Sequence, residues 1–218
     1  MPIYEKDNRL IHHIHIPKCG GKSIQKLLER NGWKRKDLIV PVHLQHEVKK
    51  SFKNSEGLKT SHEHRNIWNS WNLDVEFQFA LVRNPYDRLK SRMRQTAYHY
   101  DDENFISMTE VFMFLEWIFN QKAGDSGMMD NHFRPQVDFI GPKTHVYKIE
   151  EDIESLVYDL SLRDIIVKDS LLEKVNAKKE IVDIEIPWNS ESLKHLHKKF
   201  CNLYSQDFNL FDYKKLAI

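Results

Sequence analysis

The sequence predicts an α/β domain in which a parallel sheet of about four or five strands carries helices on both faces. Short apolar runs alternate along the chain with segments that have the spacing of amphipathic helices. Two of these runs pass directly into a turn and then a helix, which is how a βα unit begins. Because no internal repeat or clear linker divides the chain, residues 1–218 are expected to form a single domain.

The individual elements follow from apolar spacing and turn residues. An apolar run that stops at Pro17 predicts the first strand, and Asn31-Gly32 ends the first predicted helix. A continuous apolar run before Asn84-Pro85 predicts a central strand. The expected strands are Leu10–Ile16, Val75–Val82 and Thr144–Ile149, and the expected helices are Ser23–Arg30, Tyr86–Tyr98, Thr109–Gln121, Glu151–Leu160 and Ser190–Tyr204.

Composition narrows the class of function. The chain has 33 Lys and Arg against 32 Asp and Glu, a net charge of +1, which argues against nucleic-acid binding through a broad positive field. Any anion site is therefore expected to be local. Two cysteines, Cys19 and Cys201, do not make a disulfide framework and are expected to be reduced. With no signal peptide and no run of about 20 apolar residues, the sequence predicts a cytoplasmic protein without a membrane span.

The stretch IHIPKCGGKSI, residues 14–24, joins the first predicted strand to the first predicted helix. Gly20 and Gly21 let the backbone approach an anion, and the amides of residues 20–23 at a helix N-terminus favour negative charge. A Walker nucleotide loop, G-x-x-x-x-G-K-[ST], requires glycine where this chain has Ile16, so the strict pattern fails. The stretch therefore indicates a P-loop-like anion site, with a plain strand-to-helix turn as the alternative.

PKCGGKSI resembles the 5′-phosphosulfate loop of sulfotransferases that use 3′-phosphoadenosine 5′-phosphosulfate (PAPS), and HIPKCGGKSI is particularly similar to the loop of the carbohydrate branch. The resemblance implies that Lys18 acts on the bridging oxygen of the donor. Family members usually have Thr in place of Cys19 and a small residue in place of Lys22. The positions that match the donor-binding loop are Lys18, Cys19, Gly20, Gly21, Lys22 and Ser23.

RNPYDRLKS, residues 83–91, follows the predicted strand that ends at Val82. An arginine at a strand end offers paired donors to a phosphate, and Pro85 begins a helix whose N-terminus also favours an anion. The stretch resembles the family's 3′-phosphate motif, which implies that Arg83 and Ser91 bind the 3′-phosphate. Taken alone, it is also compatible with a surface arginine on a solvated basic helix.

Three later stretches resemble the same branch, which includes heparan, chondroitin and uronyl 2-O-sulfotransferases. They are HFRPQVDFI (132–140), VYKIEED (146–152) and LYSQDFNLFDY (203–213), so that the resemblance extends over about residues 11–213. The first of them implies that His132 and Arg134 contact the substrate.

A base that takes the proton of an acceptor hydroxyl needs a pKa near the working pH. TSHEH, residues 60–64, offers His62 and His64, which lie on one face of an extended chain. The pair resembles the H-x-H of uronyl 2-O-sulfotransferases, which implies a base and a substrate contact without deciding which is which. Glu63 or Glu103 is the alternative base, and an ordinary histidine-rich loop is the alternative for the pair.

The sequence thus predicts a PAPS-dependent sulfotransferase that moves a sulfuryl group to a hydroxyl, on a carbohydrate, by in-line transfer with a histidine base. No metal is expected, because an H-x-H pair needs further ligands to hold zinc. Two alternatives stay open. One is a small-molecule kinase that uses ATP and magnesium with Lys22 as its phosphate lysine, and the other is a nucleotide-binding module without catalysis.

Overall fold

The computed structural model describes residues 2–37, 53–54, 57–58, 65–69, 73–99, 107–120, 131–167, 172 and 184–218. Seven strands lie in this part of the chain: β1 (Pro2–Lys6), β2 (Arg9–Ile14), β3 (Lys34–Asp37), β4 (Lys53–Asn54), β5 (Gly57–Leu58), β6 (Phe77–Val82) and β7 (His145–Lys148). Five of them form one sheet in the order β3-β1-β2-β6-β7, and β4 pairs with β5 alone. Strands β2, β6 and β7 are parallel, whereas β1 is antiparallel to β2 and to β3.

Helices surround this sheet. They are α1 (Gly21–Arg30), α2 (Arg65–Asn69), α3 (Pro85–His99), α4 (Met108–Asn120), α5 (Ile153–Leu162), α6 (Lys194–Leu203) and α7 (Ser205–Leu210), with 3-10 turns at Gln136–Phe139 and Glu191–Leu193. In α1 the apolar positions Ile24, Leu27 and Leu28 are buried, as their spacing predicts. No helix in the described ranges has the length and apolar content that a membrane crossing requires.

The five-stranded sheet with helices around it confirms the predicted class, and its order corrects one detail. The sheet is mixed rather than wholly parallel, because β1 and β3 join its edge in the antiparallel sense. The chain turns from β1 into β2 at Asp7 and Asn8, whose φ angles of 50° and 63° suit a tight two-residue hairpin turn. The predicted strands and helices that lie in the described ranges end within about two residues of the observed ones, apart from the last helix, which is split into a 3-10 turn and α6.

Alternate residues of β2 and β6 pack on opposite faces of the sheet. On one face the ring of His13 stacks on Phe79 at 5.1 Å, and His15 continues this stack towards α1. On the other face Nδ1 of His12 accepts a hydrogen bond from Nε2 of Gln78 at 3.2 Å, and the His12 ring meets the ring of Trp68 from α2 edge-on. Elements therefore cover both faces, and the central strands are buried.

The parallel strands end at one edge of the sheet. Ile14 of β2 pairs with Ala80 of β6, and Val82 pairs with Lys148 of β7. The amide of Ile149 then donates to the carbonyl of Val82 at 2.9 Å, which extends the pairing beyond β7. The segments that follow these three strands therefore meet at the carboxyl edge, where open α/β sheets bind their ligands.

Candidate active site

The segment after β2 turns sharply into α1. Lys18 has a φ of 68°, in the left-handed region that non-glycine residues rarely occupy, and Gly20 has a φ of 81°. The carbonyl of Gly20 accepts the amides of Ser23 and Ile24 at 2.9 and 3.3 Å and so begins the helix. The amides before Ser23 belong to the first helical turn, which by its geometry has no carbonyl of its own to bind, so they are the natural donors to an anion.

Two glycines make this turn possible. A Cβ atom on Gly21 would lie 2.0 Å from Nε2 of His15, a distance no side chain tolerates. A Cβ on Gly20 would lie 3.0 Å from Cδ1 of Ile149, and its positive φ disfavours any other residue. The loop is thus closely packed against β7 on one side and against the end of β2 on the other.

Lys18 faces α3 across the strand ends. Its Nζ donates to Oε1 of Gln95 at 3.1 Å, and Nη1 of Arg92 donates to the same oxygen at 3.1 Å. Nη1 of Arg83 approaches the carbonyl of Lys18 at 3.4 Å. Neither Gln95 nor Arg92 is recognisable as a site residue from the sequence, because Gln95 meets Lys18 only in the folded chain.

These cations act on one another. The pKa of Lys18 falls from 10.5 to about 8, first because of burial and then because of the charges of Arg92, Arg83 and Lys22. We call these four residues the cationic cluster. The neighbouring charges that lower this pKa are all positive, so the side chains of the cluster repel one another in the free protein. An anionic ligand beside them would offset this repulsion.

The loop after β6 has its backbone hydrogen bonds satisfied by the protein. The amide and carbonyl of Arg83 both bond to the side-chain amide of Gln136, each at 2.8 Å. The amide of Asn84 donates to Oε1 of Glu150 at 2.8 Å, and the carbonyl of Asn84 accepts the amide of Arg88 at 2.9 Å. The side chain of Asn84 accepts the amide of Tyr86 at 3.0 Å and caps α3.

The side chain of Arg88, the second arginine of RNPYDR, binds backbone carbonyls of the protein itself. Its side chain is buried and donates to the carbonyls of Pro17 at 3.0 Å, Arg134 at 2.8 Å and His132 at 3.1 Å. A guanidinium can make several such bonds at once because its donors form a rigid fork. Arg88 therefore ties α3 to the loop after β2 and to the HFRPQ segment.

Cys19 lies inside the protein. Its side chain is 1% exposed, and its Sγ is 3.2 Å from Oε1 of Gln136 and 3.6 Å from the carbonyl of Pro17. Burial raises the pKa of the thiol to about 12, so Cys19 is a neutral donor to Gln136. Any contact of this residue with a ligand is therefore left to its backbone.

The remaining predicted residues have different surroundings. Ser91 lies partly buried on α3, one turn from Arg88 and Gln95, and so shares the face that looks towards the loop after β2. The backbone of His132 bonds to Arg88, whereas the side chain of Arg134 bonds to Asn131 at 3.0 Å and pairs with Asp138 at 3.2 Å. Lys22 and Ser23 lie in the first turn of α1.

The candidate bases His62, His64, Glu63 and Glu103 lie outside the described residues.

The histidines of β2 are core residues. Burial lowers the pKa of His12 to about 3 and that of His13 well below its ordinary value, so both are neutral. Among the described residues, no group of three or more His, Cys, Asp and Glu side chains is arranged to hold a metal ion.

A three-stranded parallel core with cationic side chains on two loops at its carboxyl edge is the arrangement in which α/β proteins bind phosphate-bearing or sulfate-bearing ligands. The chain belongs to the sulfotransferase family, whose model matches residues 3–214. It is therefore an enzyme that transfers a sulfuryl group from PAPS to hydroxyl acceptors. The match does not favour the ATP-dependent kinase or the inactive module. No curated protein and no solved structure shows significant similarity to the chain.

Proposed function

We propose that this sulfotransferase acts on a hydroxyl of a carbohydrate, and that the two loops at the carboxyl edge hold the two ends of PAPS. The loop after β2, with the amides of residues 20–22, receives the 5′-phosphosulfate, whereas the amide of Ser23 is bonded to the carbonyl of Gly20. The loop after β6 receives the 3′-phosphate through Arg83 and Ser91. Lys18 stabilises the charge that develops on the bridging oxygen when the sulfuryl group leaves.

The cationic cluster is the observation that carries this proposal. Burial and three neighbouring cations lower the pKa of Lys18 to about 8, and an anion that enters beside it would raise this pKa again and stabilise the charged form. The turn at Gly20 and Gly21 has no room for a Cβ atom, because His15 and Ile149 occupy that space, so its backbone carries no side chain that could cover the amides. These features fit a donor with a phosphosulfate at one end and a phosphate at the other, and they supply positive charge from the chain itself, so the proposal includes no metal.

The donor assignment is tested by calorimetric titration with 3′-phosphoadenosine 5′-phosphate, in parallel with ATP and magnesium. We expect the bisphosphate to bind, and Arg83→Ala to weaken it at least tenfold. The matched control is Arg30→Ala, which removes an exposed arginine from the last turn of α1. Binding of ATP with magnesium but not of the bisphosphate would contradict the assignment.

The histidine base is supported by the resemblance of residues 60–64 to uronyl 2-O-sulfotransferases, and the carbohydrate acceptor also by the resemblance of residues 132–140 to the carbohydrate branch. His132 and Arg134 are proposed to contact that acceptor. Transfer of radioactive sulfate from PAPS to unsulfated polysaccharides tests the acceptor class, with chains containing uronic acid compared with neutral chains. Transfer to neither kind of chain would exclude it.

The base is tested within the H-x-H pair. We expect one of His62→Ala and His64→Ala to lower kcat strongly and to remove the acidic limb of the pH profile, and the other to act mainly on KM. Glu63→Gln, between the two, is the matched control and is expected to retain its rate. A large loss of kcat in Glu63→Gln with active histidine variants would make the carboxylate the base instead.

A further inference from the structure

Gln136 lies between the loop after β2 and the loop after β6, and its side chain is completely buried. Its Oε1 accepts the amide of Arg83 at 2.8 Å and the thiol of Cys19 at 3.2 Å. Its Nε2 donates to the carbonyl of Arg83 at 2.8 Å. One side-chain amide thus holds both backbone groups of Arg83 and also the residue that follows Lys18.

Asp207 of α7 fixes the direction of this amide. The carboxylate is buried, and its Oδ2 accepts the backbone amide of Gln136 at 2.9 Å and Nε2 of the same residue at 3.3 Å. Its Oδ1 accepts the amide of Val137 at 3.0 Å. Burial raises the pKa of Asp207, but both of its oxygens accept backbone N–H groups. The amide and carbonyl of Arg83 require an acceptor and a donor, so the amide nitrogen of Gln136 faces Asp207 and its oxygen faces Arg83 and Cys19.

We propose that Gln136 is a positioning residue that sets the separation of the two anion-binding loops, and that Asp207 holds its amide in the one orientation that does so. The proposal rests on the assignment of these loops to the two ends of PAPS. Both ends belong to one molecule, so its binding costs less free energy when the loops already stand at the matching separation. Gln136 touches no reacting atom in this scheme and acts through Arg83 and Cys19.

The first test needs no nucleotide. In a Cys201→Ser background, which leaves Cys19 as the single thiol of the chain, the rate of alkylation by a maleimide reports how often the loops part. We expect Gln136→Met to raise this rate at least tenfold. The control is Tyr204→Phe, which removes a buried hydrogen bond of 2.8 Å to the carbonyl of Phe133, and it should leave the rate within twofold. Equal rates in the two variants would overturn the proposal.

The second test uses 3′-phosphoadenosine 5′-phosphate as the probe, at a temperature where all variants are folded. Gln136→Met is expected to bind it at least tenfold more weakly than the parent protein, and Tyr204→Phe within twofold of it. An unchanged affinity in Gln136→Met overturns the proposal. If the parent protein itself fails to bind the bisphosphate, the donor assignment is wrong, and the alkylation rates alone decide whether Gln136 joins the loops.

Gln136→Glu adds a readout that a merely structural loss would not move, and it serves if Gln136→Met does not fold. The introduced carboxyl group can donate towards Asp207 only when it is protonated, whereas its charged form repels that carboxylate. We therefore expect the ratio of parent to variant affinity to shrink as the pH falls from about 8 to about 6. A ratio that stays constant over this range would overturn the proposal.

Discussion

Replacing Lys18 with methionine is expected to stabilise the free protein while removing donor binding. Lowering the lysine pKa from 10.5 to about 8 costs its charged form about 3 kcal/mol in the folded state. Because the side chain is only partly buried, solvent screening reduces this to about 2 kcal/mol. The variant also loses the hydrogen bond from Nζ to Gln95, worth about 1 kcal/mol, although Gln95 keeps its bond from Arg92.

The net gain of about 1 kcal/mol corresponds to a rise in Tm of about 2–4 °C for a domain of this size. Scanning calorimetry at pH 7 and low salt measures it, with Lys26→Met as the control, since Lys26 is an exposed lysine of α1. Methionine leaves the positive φ of position 18 unchanged, so the comparison isolates the charge. A Tm for Lys18→Met equal to or below that of the parent protein would refute the reasoning.

The sign of the pH dependence provides a second check. Lys18 loses its proton above about pH 8 in the folded chain but only above 10.5 when unfolded. Its destabilising effect is therefore fully present below pH 8 and disappears as the pH rises between these two values. The Tm advantage of Lys18→Met should shrink at pH 9.5. The bisphosphate should raise the Tm of the parent protein and leave that of the variant unchanged.

Three further predictions concern the same edge of the sheet. Affinity for the bisphosphate should fall above pH 8 as Lys18 loses its charge. In Lys18→Arg the same affinity should stay constant over this pH range, because arginine keeps its charge. Affinities that fall in parallel in the parent protein and the variant would contradict this prediction. Gly21→Ala should lower the free energy of unfolding by about 1–3 kcal/mol through its clash with His15. In a double-mutant cycle measured by denaturant unfolding, adding His15→Ala should recover most of that loss. Strictly additive losses would exclude the clash. Arg88→Lys should cost about 1–3 kcal/mol in the same assay, because an ammonium cannot reproduce three bonds of a planar fork, and a wild-type midpoint would argue against that role.

The sequence predicted the elements whose signal is local. The strands β2, β6 and β7 were visible as apolar runs, and α1 was visible in the spacing of its buried positions. Strands β1 and β3 were missed because neither contains a long apolar run: β1, which lies between β3 and β2, is the five-residue segment PIYEK, and β3 lies at the edge of the sheet. The sequence of β3 is KRKD, which has no apolar residue, and its pairing with β1 becomes evident only in the assembled sheet.

The candidate site also contains residues that the sequence indicates and residues that only the folded structure reveals. The two stretches proposed to bind the ends of the donor are recognisable in the sequence from their cations and their positions after strands, and the first also from its glycines. The roles of Gln95, Gln136 and Arg88 are not recognisable there, since their partners are a distant lysine and backbone atoms that the fold brings near. A glutamine or an arginine carries no signal that separates a solvated side chain from one that holds a loop, and the burial that makes this distinction is a property of the tertiary structure.

The hairpin of β1 and β2 has a consequence for the order in which the molecule forms. The two strands meet across the turn at Asp7 and Asn8, so their pairing is local and belongs to the microsecond events of folding. The other neighbour of β2 is β6, which follows much later in the chain, and parallel pairing over such a distance is slow because a long loop must close first. We therefore expect the hairpin to give β2 an early partner, so that the strand leading to the loop at residues 15–20 pairs before the rest of the sheet assembles.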